Sequence, residues 1–169
     1  HLWKAHRSDF WMLLVTFLAT LGLGIEQGIG IGVVLSLALI IFRTSRPHIA
    51  ELGRVPDTHF YRNVERFKQV EARDDLLIIR FDAQLYFANV GFFRDQIEEL
   101  IDRKPDGRLK VVIINAESIN NIDSSALHAL ADLLADLNKH GLKVLFTGVK
   151  GPVRDAMAKG HLIDKIGST

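Results

Sequence analysis

The residues with the most chemical potential stand together at Asn121-Ile122-Asp123-Ser124-Ser125-Ala126, where two hydroxyls follow directly on a carboxylate. A catalytic serine needs a base within reach, and in the common hydrolase setting it sits on a tight turn flanked by glycines. Neither Ser124 nor Ser125 has a neighbouring histidine or such glycines, which argues against hydrolase chemistry. The segment does match a helix start, because Asp and Ser are favoured caps for free N–H groups. The same N–H groups attract anions, so nucleotide or small-anion binding along this edge stands beside the capping reading. The seven histidines lack metal-ligand spacing, and His128 and His140 read as solvated helix residues. Glu98, Glu99 and Asp102 fall on the outer face of a helix. With no cysteine, thiolate catalysis, disulfides and Cys-ligated metals are excluded. No enzyme and no cofactor are expected.

Regular elements must present this segment. An apolar run at 76–81 has the width of a buried strand, and 84–87 reads as another. Asn89 is placed to cap a helix running to about Arg103, with Val90, Phe93, Ile97, Leu100 and Ile101 inward. A strand at 109–114 leads to the Asp123 or Ser124 cap of a second helix. That helix carries Leu127, Leu130, Ala131, Leu134 and Leu137 on one face and ends at Gly141. A strand at 142–147 follows, and Gly151-Pro152 opens a last short helix with Val153 and Met157 inward. The alternation predicts an α/β domain of crossover units on a largely parallel sheet with flanking helices. Its ligand or partner edge then holds the loops at Asp82, Asn121, and Gly148 to Gly151.

A different physics governs the beginning of the chain. Residues 10–42 contain one charged side chain, Glu26. As one helix this run would extend roughly 50 Å, well beyond a hydrocarbon core of about 30 Å. A split at Glu26-Gln27 predicts a hairpin of two segments, 10–25 and 28–42, each about 22–24 Å long. Gly24, Gly28, Gly32 and Ser36 recur every fourth residue and give a face of small side chains for close helix packing, expected against the remainder of a larger membrane domain. A glycine-rich nucleotide loop is excluded there, because no soluble strand precedes these glycines. Lys4, Arg7, Arg43 and Arg46 flank the hairpin while its turn has no basic residue, which places both ends in the cytoplasm. Residues 43–69 read as a linker interrupted by Pro47 and Pro56, ahead of a domain over 70–169. Apart from those flanking charges the chain is near neutral: 17 of the 21 basic and 18 of the 20 acidic residues fall in 51–169. That balance gives no basic footprint for nucleic acid. A start on His1 reads as a piece of a longer protein.

Several separated motifs resemble one family. Arg46-Pro47-His48, Glu51-Leu52-Gly53-Arg54-Val55-Pro56, Leu85-Tyr86-Phe87-Ala88-Asn89 and Asp123-Ser124-Ser125-Ala126, behind an apolar hairpin, are similar to SulP-type anion transporters. The soluble part resembles a STAS domain, the module such transporters share with anti-sigma factor antagonists. The resemblance implies a STAS fold with a mixed, largely parallel sheet behind the last membrane hairpin. It also implies a secondary active transporter of sulfate, bicarbonate or dicarboxylate class in the cell (inner) membrane, with the STAS domain cytoplasmic. Expected partners are the remainder of the membrane domain, a second copy in a homodimer, and a cytosolic regulatory protein. In the antagonists the second serine of the motif is phosphorylated, which corresponds to Ser125, with Asp123 and Ser124 beside it. Ala126 stands where the antagonists usually carry Gly. A membrane-tethered, antagonist-like module switched at Ser125 is the alternative reading.

Overall fold

The computed structural model describes residues 7–163. The chain divides into two compact units, with the boundary between Ser45 and Arg46. The first unit is a helical hairpin, α1 (Arg7–Leu23) and α2 (Ile25–Ser45). The break falls at Gly24 and not at Glu26-Gln27. Gly24 adopts φ +101°, a left-handed value that glycine reaches without steric cost. Helical bonding brackets it, from Gly24 N to Thr20 O (3.2 Å) and from Gly28 N to Gly24 O (3.0 Å). Glu26 therefore lies in the first turn of α2, where its charge faces the positive end of the helix dipole.

At 21 residues α2 extends about 31 Å, and among the described residues it is the one helix long and apolar enough to cross a membrane. The shorter α1 is apolar as well. Their small-residue seam closes within the hairpin itself. A Cβ added at Gly28 would lie 2.7 Å from the Thr20 Cα, and one at Gly32 would lie 3.0 Å from the Thr16 methyl. The expected use of this stripe against other helices is thus corrected for Gly28 and Gly32, while Gly24 forms the turn and Ser36 is half-buried. The Thr20 hydroxyl turns back to Thr16 O at 2.8 Å, so it needs no further partner in the seam. At the open end Arg43 Nη2 meets Asp9 Oδ1 at 2.7 Å. Outward, Trp11, Phe17, Leu21, Ile29, Val34, and Ile41 are exposed, a surface suited to lipid. The flanking charge of Lys4 lies outside the described residues.

The second unit is built on five strands: β1 (Ile49–Arg54), β2 (Tyr61–Asn63), β3 (Leu76–Phe81), β4 (Val111–Asn115) and β5 (Lys143–Thr147). Their order is β2-β1-β3-β4-β5. β1 runs antiparallel to both β2 and β3, whereas β3, β4 and β5 are mutually parallel. Helices α3 (Val90–Asp102), α4 (Ser124–Lys139) and α5 (Gly151–Lys159) complete it. Leu77, Ile79, Phe81, Val112, Ile114 and Val144 alternate along the strands to one face, the period-two pattern of a sheet. There they share one core with Phe93 and Ile97 of α3, Leu130 and Leu134 of α4, and Val153 and Met157 of α5.

Two expectations are corrected here. The segment 43–69 is not a linker, since it supplies β1 and β2, and Pro47 and Pro56 bracket β1 without interrupting it. Glu51 disguised the strand. It stands opposite Ile79, and Lys104 Nζ reaches it at 2.7 Å in a largely buried pair. Gly53 is required by crowding: a Cβ there would lie 2.7 Å from Glu71 O. The strand expected at 84–87 is instead a single bridge, Leu85 to Ile122, followed by a turn. Asn89 makes that turn. It stands before α3 but caps no helical N–H. Its buried Oδ1 accepts from Tyr86 N (3.0 Å), and its Nδ2 donates to Gln84 O (2.9 Å).

Candidate functional site

Parallel pairing of β3, β4 and β5 brings the loops after Phe81, Asn115 and Thr147 to one edge of the sheet. The structure joins them bond by bond. Leu85 N donates to Asn121 O (3.0 Å), and Asp123 N donates to Leu85 O (3.3 Å). The Asp123 carboxylate then serves two elements: Oδ1 accepts from Ala126 N at 2.7 Å, capping α4, and Oδ2 accepts from Phe87 N at 2.9 Å. The capping expectation covers only half of this role. A second function, holding the loop after β3, needs knowledge of which loops adjoin.

Ser124 and Ser125 occupy the first turn of α4, both exposed, while Ala126 is fully buried. Among the described residues their hydroxyls engage no partner. Asn121 folds inward on its own backbone, with Oδ1 accepting from Ile122 N (3.0 Å). Gly148 has φ +66°, and a Cβ there would collide with Glu117 Cγ, so glycine is required for the two loops to meet. Lys150 Nζ bonds Asn120 Oδ1 across the same gap. Gly151 opens α5 beside Pro152 with open space where a Cβ would stand, so crowding does not explain it.

Asp82 is the most heavily engaged carboxylate on this edge. Arg80 grips it through Nε (2.7 Å) and Nη2 (2.9 Å), His48 Nδ1 lies 3.1 Å from Oδ2, and Ser118 Oγ is 3.4 Å from Oδ1. Partial burial alone would raise the Asp82 carboxyl, but the hydrogen bonds from Arg80 and His48 outweigh it and hold the group below the ordinary range. A lowered carboxylate adds stability that is present above about pH 4 and is lost as pH falls through the lowered value. An Asp82→Asn variant is therefore expected to lose stability at neutral pH and to show a flatter stability profile between neutral and acid. Identical profiles for the two proteins, from thermal unfolding at stepped pH, would refute this role. For Asp123→Ala the expected loss is about 1–2 kcal/mol, as for other N-caps, checked by chemical denaturation.

Ser118, Asn120 and Lys150 carry no signal in the sequence, and His48 and Phe87 enter it only within the family motifs, without a site role. His48 would have been found only with β1 in place, since it faces Asp82 as the ladder's next pair. Among the described residues no three His, Cys, Asp or Glu side chains are grouped to hold a metal. The arrangement presents exposed hydroxyls at a helix start, backed by a carboxylate that clasps the neighbouring loop.

Comparison with known proteins agrees with this architecture. The STAS domain model matches residues 67–169. "Probable sulfate transporter 4.2" of Arabidopsis thaliana is 35% identical over 98% of this chain and 26% of its own length. A "Probable sulfate transporter" of Mycobacterium tuberculosis (strain ATCC 25618 / H37Rv) is 33% identical over 97% of this chain and 29% of its own. The chain thus spans about a quarter of the length of the curated relatives it matches. In fold it is similar to murine Solute Carrier 26 family member A9, an anion transporter solved in the inward-facing state. That likeness has a TM-score of 0.83 at 23% identity, over 94% of this chain and 25% of that one. A five-stranded mixed sheet, its clasped loop edge and a match over most of the soluble unit lead to one conclusion: the chain belongs to the STAS domain family and is the STAS-bearing region of a SulP-type membrane protein.

Proposed function

We propose that this chain supplies the last membrane hairpin and the cytoplasmic STAS domain of a secondary active inorganic-anion transporter, of sulfate, bicarbonate or dicarboxylate class. The observation that carries this reading is the junction: only Arg46-Pro47-His48 separates a lipid-suited helix from a strand inside the STAS sheet. Arg43 and Arg46 beside the junction favour a cytoplasmic domain in the cell (inner) membrane. The domain acts in regulation and assembly, with the rest of the membrane domain and a second copy as partners. No catalysis is needed, only contacts that differ between two transport states.

The test is anion flux in reconstituted vesicles, comparing the longer protein with a version truncated after Ser45. Truncation is expected to lower uptake at least tenfold, about 1.4 kcal/mol in rate terms, while insertion persists. An intact protein that moves none of a broad anion panel would overturn the reading. The second reading, a switch at Ser125, is favoured by one observation: its hydroxyl is exposed at the first turn of α4. A phosphate there adds about −1.5 to −2 charges where the helix dipole favours them. Ser125→Asp in the same assay tests it, since an unchanged rate leaves Asp123-Ser124-Ser125 as a cap alone.

A further inference from the structure

We infer that the sheet face turned away from the helices carries a small-molecule site at Tyr61, Arg54 and Glu71, and that its ligand is a free α-amino acid with an apolar side chain. The site goes beyond the transporter reading, and its test does not depend on transport.

Three side chains stand abreast at the end of β1. Arg54 pairs with Tyr61 of β2 on one side and with Glu71 on the other. The second pairing is closed by two bonds, Arg54 N to Glu71 O and Glu71 N to Arg54 O, both 2.9 Å. Partners in such a pair project to the same face, with Cα atoms about 5.5 Å apart. Gly53 lets residue 71 come this close, since a Cβ there would crowd Glu71 O. One step back along the strands Leu52 stands opposite Ile78, and Leu76 follows the same alternation. These six residues line a recess of about 180 Å³, its floor apolar and its rim polar. A cavity of about 150 Å³ accepts benzene, so the space suits a ligand body of that order.

The charges in this row suit a ligand with two of its own. Arg54 and Glu71 are direct neighbours of opposite sign, yet among the described residues they form no ion pair with each other. The Arg54 guanidinium is drawn aside by its Nε, which donates to Thr58 O at 2.9 Å. Its terminal nitrogens, the Glu71 carboxylate and the Tyr61 hydroxyl make no hydrogen bond among the described residues. Arg73, also on the rim, is held by Asp75 through Nε (2.8 Å) and Nη2 (2.6 Å), so that pair adds no net charge. One cation, one anion and an apolar floor match a dipolar molecule. Its carboxylate takes the Arg54 terminal nitrogens, its ammonium takes Glu71, and its side chain lies over Leu52, Leu76 and Ile78. Hydrogen bonds between such charged groups are the strong ones. A purely anionic ligand meets Glu71 and a purely cationic one meets Arg54, so each is disfavoured.

The experiment is a titration of the full chain in lipid nanodiscs with L-leucine, read by methyl NMR at Leu52, Leu76 and Ile78. L-Methionine and L-phenylalanine are run beside it. The comparison ligands are isocaproate, which lacks the ammonium, and isoamylamine, which lacks the carboxylate. L-Leucine is expected to saturate below about 10 mM and to bind about tenfold or more tightly than either analogue. Arg54→Gln is expected to bring L-leucine down to the level of isoamylamine, and Glu71→Gln to the level of isocaproate. Glu98→Gln, on the outer face of α3, is expected to leave binding unchanged. No saturable shift with any of the three amino acids would overturn the proposal. So would an analogue that binds as tightly as L-leucine, or binding that either Arg54→Gln or Glu71→Gln leaves intact. Shifts confined to Leu13 and Leu37 of the hairpin would overturn it too, since they report uptake at the lipid-facing surface alone.

Discussion

Replacing Gly28 with leucine is expected to force the membrane hairpin open, at a cost of about 2–3 kcal/mol, in the range of overpacked interiors. The reason is backbone crowding. The first added atom already lies 2.7 Å from the Thr20 Cα, which no rotation of a side chain can relieve. Gly30 is the internal control, because a Cβ there meets nothing within 4 Å. Gly32→Leu should fall between the two, since the atom in its way is the Thr16 methyl at 3.0 Å, the end of a side chain. The measurement is the detergent-unfolding midpoint of the three variants in parallel, with spin-label distances across the hairpin as a second readout. Equal tolerance of leucine at Gly28 and Gly30 would mean that the helices do not close on this seam.

The second large effect belongs to the soluble unit. Phe93→Ala should destabilise it by about 3–5 kcal/mol through lost burial and the cavity left behind. Phe93 is fully buried and meets Phe81 edge to face, with ring centroids 5.0 Å apart at 73°. Such a pair adds about 0.5–1.5 kcal/mol beyond its area. Phe87 offers the contrast only a few residues earlier. It is 72% exposed, and Phe87→Ala should cost less than about 0.5 kcal/mol. Thermal unfolding of the two variants side by side checks both values. A Tm for Phe93→Ala within a degree or two of the Phe87→Ala value would show that α3 does not pack on β3 as described.

Elements with strong periods were legible in the sequence. Helices α3, α4 and α5 stand where their apolar stripes and the Asp123 and Gly151-Pro152 starts placed them, and β3, β4 and β5 match the apolar runs. β1 escaped because its inward face carries Glu51, neutralised by Lys104 from more than fifty residues away. With β1 unread, the antiparallel half of the sheet was invisible, and so was the pairing of His48 with Asp82. Asn89 misled for another reason. Its type fits a cap, yet burial turned both ends of its amide onto the preceding turn. In the hairpin, charge suggested a break at Glu26, whereas backbone conformation decided for Gly24. Asp123 was found by type and position, but its second bond joins residues 36 apart and leaves no local trace.

The place of β1 in the sheet has a practical side. Because it lies between β2 and β3, a fragment starting at residue 67, where the family match begins, would lack both strands. β3 would then present a bare row of N–H and C=O groups beside Leu76 and Ile78, the kind of open edge that recruits other chains into aggregates. A water-soluble version of the domain must therefore begin ahead of Ile49, which leaves only Arg46, Pro47 and His48 in which to cut it from the membrane.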